Sequence, residues 1–183
     1  MTHPIEAVAN EFLDLAKQHG ISDMSPMKLQ KILYFAQGWY LATEKKPLFD
    51  EQIEAWRYGP VIRTVYELAK EYGNSPINRP LKGLTDHYFH NLETKGPYKE
   101  PRLNKNDQKT IKPFLDWILE NYGEYSAVEL SNQTHAEGTP WKTVIDKYKE
   151  GLPRGTDISE ASIREYFEAE LAKLLNEDRA VTN

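Results

Sequence analysis

The chain contains 183 residues, of which 39% are hydrophobic and 28% are charged. This balance is typical of one folded domain with its own core and excludes a disordered protein. The formal net charge of -5 argues against non-specific nucleic-acid binding, which depends on a basic face. No cysteine is present, which excludes disulfides and thiolate nucleophiles, and we expect a reducing, cytoplasmic location. We recognise neither a signal peptide nor an apolar stretch long enough to span a membrane.

Two helices are predicted in the first part of the chain. Apolar residues at three- and four-residue spacing predict a helix over Pro4–Gln18, which Gly20 ends. Ser25 is a good N-cap, and it is followed by a proline at the first helical position. These signals predict a second helix over Pro26–Ala42.

A short strand is predicted next, because Ile53–Tyr58 alternates in character. Gly59-Pro60 is predicted to end this strand in a turn and to open a third helix. Apolar residues over Val61–Tyr72 form one stripe of that helix, and Gly73 closes it.

The second half begins with an irregular segment, residues 74–106, in which only Asp86–Glu93 could form a helical turn or two. A segment of this length is typically functional or mobile. Cap signals and apolar periodicity then predict four helices, which start near Asp107, Ala127, Pro140 and Ser159. Pro113 indicates that the first of them is kinked or starts later than Asp107. We therefore predict a mainly α fold, a compact bundle of about six or seven helices with a short strand or small β-hairpin.

Few residues could support catalysis or bind a metal. His87 and His90 lie three apart, but no third ligand is placed near them. His135 and Glu137 lie two apart at a helix end, and no activated nucleophile accompanies them. Gly59-Pro60 does not form a phosphate-binding loop, because it has one glycine and a residue without an N–H donor. We predict no catalytic residue, metal site or cofactor, and a small accessory enzyme that uses His135 and Glu137 is the alternative.

Three segments of the chain, Met27–Ala42, Pro47–Val61 and Glu129–Trp141, occur in an order that resembles the Panacea domain. This domain, also called the SocA-like antitoxin domain, occurs in bacterial and prophage genomes. The likeness covers about residues 25–167, and Ala55–Pro60 is its most distinctive part. The resemblance implies an antitoxin that is encoded beside a toxin gene and neutralises the protein toxin by direct binding. The alternatives it implies are an adaptor that delivers a toxin to a cytosolic protease and a phage-associated accessory protein.

The chain is also expected to divide into three parts. We predict that a helix in residues 1–24 packs on the domain, that residues 25–176 form the antitoxin domain, and that residues 177–183 are a disordered tail. A cognate protein toxin is the expected partner, and neither a membrane nor a nucleic acid is expected.

Gln30, Tyr34 and Gln37 lie four and three residues apart and share a helical face beside the predicted core stripe. Two interpretations remain open for them. The amides could satisfy backbone groups of a neighbouring segment such as Ala55–Pro60, or the three side chains could contact a partner.

Arg57 and Tyr58 are further candidates, because both residue types are enriched among interface hot spots. His135 either closes a helix end or contacts the partner, and Glu137 beside it completes the candidate set. A second set of residues is predicted to have a structural role: Trp39, Trp56, Gly59, Pro60 and Trp141. Trp117 is predicted to be a further structural anchor.

Overall fold

The computed structural model describes residues 2–83, 100–148 and 151–181. The described ranges contain seven α-helices: α1 (Ile5–Gln18), α2 (Pro26–Glu44), α3 (Arg63–Ala69), α4 (Lys105–Tyr122), α5 (Ala127–Thr134), α6 (Pro140–Lys147) and α7 (Glu160–Val181). They also contain three strands, β1 (Ile53–Trp56), β2 (Gly59–Val61) and β3 (Asp157–Ile158), and a 3-10 helix at Lys70–Tyr72. The prediction of a mainly α fold with a small β element is confirmed. Asp86–Glu93, with His87 and His90, lies outside the described residues.

Helix α2 runs through the middle of the molecule, and 16 of its 19 residues are buried. Ser25 caps it by accepting a hydrogen bond from the Lys28 amide, and Pro26 is its first residue, as predicted. Helices α1, α3, α4, α5 and α7 and strand β2 all pack against it. Because α2 is covered on every side, its polar side chains must find partners inside the protein.

Helix α1 shares the same core, since Ile5, Val8 and Phe12 are fully buried. Its one buried amide, Asn10, bonds to two distant parts of the chain. Asn10 Nδ2 donates to the carbonyls of Leu81 (2.9 Å) and Pro101 (3.0 Å), and Asn10 Oδ1 accepts from the Leu81 amide (2.6 Å). A single side chain thus attaches both Leu81 and Pro101 to α1.

The three strands form an antiparallel sheet in the order β2-β1-β3. Trp56 pairs with Gly59, so that Arg57 and Tyr58 form the turn of a hairpin. The prediction that Gly59-Pro60 opens a helix is wrong, because these residues begin β2 and the helix starts at Arg63. Gly59 has a φ of 106°, a conformation that suits a glycine closing a hairpin turn. Pro60 is tolerated because β2 is an edge strand.

Local cap signals located the short helices correctly. Ser126 and Glu129 form a reciprocal capping box at the start of α5. Thr139 accepts a hydrogen bond from the Lys142 amide and precedes Pro140, the first residue of α6.

Two helices extend further than the sequence indicates. Asn104 caps α4 by accepting from the amides of Asn106 and Asp107, so the helix starts at Lys105 and contains Pro113. The alternative of a start later than Asp107 is therefore wrong. Helix α7 continues through residues 177–181, where a disordered tail was predicted.

Helices α2 and α7 approach closely at Gly38. A Cβ atom added there would lie 2.2 Å from Phe167 Cε2. Phe167 is 1% exposed, and its ring packs edge-on against those of Tyr34 and Trp39. The missing side chain at Gly38 is what admits this aromatic ring.

Candidate functional site

The three segments that carry the resemblance meet at the β1–β2 hairpin. Side chains from α2, α5 and α6 donate hydrogen bonds to three alternate carbonyls of the hairpin. The bonds join Lys31 Nζ to Pro60 O (3.0 Å), Ser131 Oγ to Tyr58 O (2.9 Å) and Trp141 Nε1 to Trp56 O (2.8 Å). The hairpin is therefore fixed from three elements at once.

The Trp56 side chain is held by polar contacts of its own, in addition to the bond at its carbonyl. Its Nε1 donates to Glu54 (2.8 Å), and the Arg63 guanidinium binds both oxygens of the same carboxylate (2.8 and 2.7 Å). Burial opposes ionisation of Glu54, but the hydrogen bonds from Arg63 and Trp56 outweigh it and keep the Glu54 pKa below its ordinary value. The centroids of the Tyr66 and Trp56 rings lie 4.7 Å apart, so the two rings form one aromatic wall.

Beneath the hairpin lies the buried ammonium group of Lys31, a residue with 1% exposure. Burial lowers the Lys31 pKa to about 7. The ammonium group donates a hydrogen bond to the Pro60 carbonyl, and no carboxylate of the described residues forms an ion pair with it. A Cβ atom at Gly59 would lie 2.8 Å from both Lys31 Cε and Thr134 Oγ1. Glycine is therefore required at position 59 by the space around it as well as by its φ.

His135 forms the C-cap of α5, and its ring stacks on Trp141 at 3.8 Å with an interplanar angle of 11°. Burial and the charge of Lys31 both lower the His135 pKa, and its Nε2 is buried without a hydrogen-bond partner in the described structure. The Glu137 side chain is 84% exposed and pairs with Lys142 (3.2 Å). The imidazole is thus engaged in packing, and the carboxylate in a surface ion pair.

Gln30 and Gln37 lie inside the protein, each 4% exposed. The Gln30 amide accepts from the Ile62 N–H (2.8 Å) and donates to the Ile62 carbonyl (3.1 Å). The Gln37 amide donates to the Phe49 carbonyl (3.0 Å) and accepts from the Phe49 N–H (3.3 Å). These contacts agree with the interpretation that the two amides satisfy backbone groups of neighbouring segments. The backbone groups belong to Ile62 and Phe49, however, and not to Ala55–Pro60.

Tyr34 is also buried, at 2% exposure, and burial raises the pKa of its phenol well above the ordinary range. Gln30, Tyr34 and Gln37 are therefore covered by the elements that pack on α2. Contact of these side chains with a partner remains a prediction, and it requires those elements to move away from α2.

The remaining predicted anchors belong to a second aromatic cluster. Trp39 is 6% exposed and donates from Nε1 to the Tyr122 hydroxyl (2.6 Å). Trp117 packs edge-on against Trp39 with ring centroids 5.6 Å apart, and it is 38% exposed.

Arg57 and Tyr58 are exposed at the tip of the hairpin, and Tyr58 is 62% accessible. A groove of about 420 Å³ lies beside the hairpin, and its lining residues include Lys31 from α2, Trp56 from β1 and Tyr66 from α3. A second groove, of about 460 Å³, lies on the other side, and its lining includes Trp141, Leu152 and Arg154. Arg57 lines both grooves. We call these two grooves, with Arg57 and Tyr58 between them, the hairpin surface.

Sequence reasoning did not select Lys31 or Arg154. A signal for Lys31 was present, since Lys28 and Lys31 interrupt a helix that is otherwise apolar on most sides. Both lysines are buried, and Lys28 Nζ bonds to Asp23 (2.5 Å) and to the Gly123 carbonyl (2.7 Å). For Arg154 we find no local signal, because only the tertiary fold brings it beside the hairpin.

The described residues contain no group of three or more His, Cys, Asp or Glu side chains placed to hold a metal ion. None of their helices combines the length and the apolar character needed to cross a bilayer.

The geometry defines a helical domain that is built around one buried helix and displays a hairpin held by hydrogen bonds from three helices. The family model described as "Antitoxin SocA-like, Panacea domain" matches residues 29–142, a range that includes Lys31, Ser131 and Trp141. The chain is also 32% identical over 162 residues to Antitoxin SocA of Caulobacter vibrioides (strain NA1000 / CB15N), which covers 88% of this chain and 80% of that protein. The chain belongs to the SocA-like antitoxin family, as the three segments indicated. No solved structure matches at a comparable level of significance.

Proposed function

We propose that this protein is an antitoxin that neutralises a cognate protein toxin, the product of an adjacent gene, by direct stoichiometric binding. Membership of the SocA-like antitoxin family supports an antitoxin role. The proposal of direct binding rests on the structure of the hairpin. Hydrogen bonds from Lys31, Ser131 and Trp141 hold the hairpin in place, and its turn exposes Arg57 and Tyr58. A preorganised surface loses little conformational entropy when a partner binds, and arginine and tyrosine are common interface anchors.

The contacts of His135 favour binding over catalysis. A general base must reach the proton that it abstracts, whereas the His135 ring is stacked on Trp141 and its Nε2 is buried. Inhibition would then follow from covering the toxin's active or ligand site.

Co-expression with the product of the adjacent gene tests this proposal. We expect that product to arrest growth when expressed alone, and to be harmless and co-purify in a fixed ratio when this protein is present. A product that is harmless alone and does not co-purify would contradict the proposal. If toxin half-life falls in the presence of this protein and recovers when a cytosolic protease is deleted, the adaptor alternative replaces direct neutralisation.

A further inference from the structure

The arginines of the chain differ in whether they have a carboxylate partner. Four of them form ion pairs within the chain: Arg63 with Glu54, Arg79 with Glu71, Arg102 with Asp14 and Arg164 with Glu160. Arg57 and Arg154 are exposed and have no carboxylate partner in the described part of the chain. Both of them line the hairpin surface.

The charge of this surface is opposite to that of the whole protein. Its described lining residues include the charged side chains of Arg57 and Arg154 and contain neither aspartate nor glutamate, whereas the chain has a net charge of -5. Positive potential concentrated at a concave site attracts an acidic occupant and orients it during association.

The walls of the two grooves are largely apolar. Trp56 and Tyr66 border one groove, and Trp141, Ile145 and Leu152 border the other. Apolar walls exclude water from a guanidinium–carboxylate pair, and arginine can bind a carboxylate through two parallel hydrogen bonds. The volumes, about 420 and 460 Å³, lie within the range of pockets that bury a small ligand or its equivalent.

We propose that the hairpin surface receives an acidic segment of the cognate toxin, in which Asp or Glu side chains are interspersed with large apolar ones. The carboxylates bind Arg57 and Arg154, and the apolar side chains fill the grooves on either side of the hairpin. This inference rests on the proposed function, because it takes the toxin as the partner. Nucleic acid fits the surface less well, since phosphates leave the aliphatic wall of Ile145 and Leu152 unused and the protein carries a net negative charge.

The test is the affinity of the purified adjacent-gene product for the full-length protein and its variants, measured by isothermal titration calorimetry. We expect Arg57→Glu and Arg154→Glu each to weaken binding by about 30-fold or more, the level of an interface hot spot. Arg57→Gln removes the charge and keeps a neutral hydrogen-bonding group on a shorter side chain, and we expect a loss of about tenfold. Lys109→Glu makes the same change of charge on the exposed side of α4 and should leave affinity within about threefold.

Thermal melting of each variant ensures that only folded proteins are compared. Toxin that binds the wild type, Arg57→Glu and Arg154→Glu equally well would overturn the inference and leave the proposed function intact. Toxin that does not bind even the wild type would overturn both. Loss of duplex-DNA binding in Arg57→Glu, with toxin binding unchanged, would assign the surface to nucleic acid and also overturn it. Restoration of Arg57→Glu binding by an acid-to-arginine change in the toxin would support the inference and identify the opposing carboxylate.

Discussion

Replacing Lys31 by methionine removes the buried ammonium group and keeps an unbranched side chain of similar length. Burial lowers the Lys31 pKa from 10.5 to about 7. At about 1.4 kcal/mol per pH unit, that difference corresponds to a penalty of about 5 kcal/mol for holding the charged lysine in the folded protein. The penalty applies in full below pH 7, where the lysine is protonated in both the folded and the unfolded states.

The pH dependence has a defined sign, because the pKa is lower in the folded state than in the unfolded state. Between pH 7 and 10.5 the unfolded chain binds one more proton than the folded chain at Lys31. The free energy of unfolding of the wild type should therefore rise by up to about 1.4 kcal/mol per pH unit across this window, relative to the methionine variant. Loss of the hydrogen bond to Pro60 contributes a separate destabilisation of about 1–3 kcal/mol to Lys31→Met. This contribution is the same at every pH, so it shifts the curve without changing its slope, while removal of the buried charge acts in the opposite direction.

Urea unfolding followed by circular dichroism at several pH values from 7 to 10 measures this difference. Other titrating groups are common to the two proteins and cancel when one curve is subtracted from the other. Lys109→Met, at an exposed lysine of α4, is the matched control and should follow the wild type. Parallel curves for wild type and Lys31→Met over this window would refute the argument that Lys31 is neutralised by burial.

Three further predictions concern the support of the hairpin and the core. Gly38→Ala should destabilise the protein by about 1–3 kcal/mol through its clash with Phe167, and urea unfolding should show this loss disappear in a Phe167→Ala background. Gln37→Leu leaves buried backbone groups unpaired and should lower stability by about 2–4 kcal/mol, whereas exposed Gln52→Leu should change it by less than about 0.5 kcal/mol; equal melting temperatures for the two would contradict this. Glu54→Gln should be less stable than the wild type at neutral pH. Because the Glu54 pKa is lowered in the folded state, the wild-type advantage should shrink as pH falls below 4.5, and melting temperatures that differ equally at pH 7 and pH 3 would argue against it.

The elements that could be predicted from the sequence are those specified by local hydrogen bonds. Ser25, Ser126 and Thr139 each accept a backbone N–H within three residues along the chain, and all three helix starts were located correctly. A small β-hairpin was among the predictions, but its second strand was not placed at Gly59–Val61. The side chains that leave no room for a Cβ atom at Gly59 come from Lys31 and Thr134, which are distant in sequence.

The candidate site was predictable only in part, for a related reason. Helical spacing showed that Gln30 and Gln37 share a face, but spacing does not reveal whether a second layer covers that face. The loop at Leu48–Phe49 and the backbone of Ile62 provide that cover. Arg57 was selected by residue type alone, and Arg154 could be connected with it only after the fold placed both along one groove.

The buried amide of Asn10 couples two separate parts of the chain to one position of α1, because it bonds to Leu81 and to the Pro101 carbonyl. A single substitution at position 10 would leave backbone groups at both places without their partner at the same time. The two attachments are therefore kept or lost together, and position 10 should tolerate few other residue types.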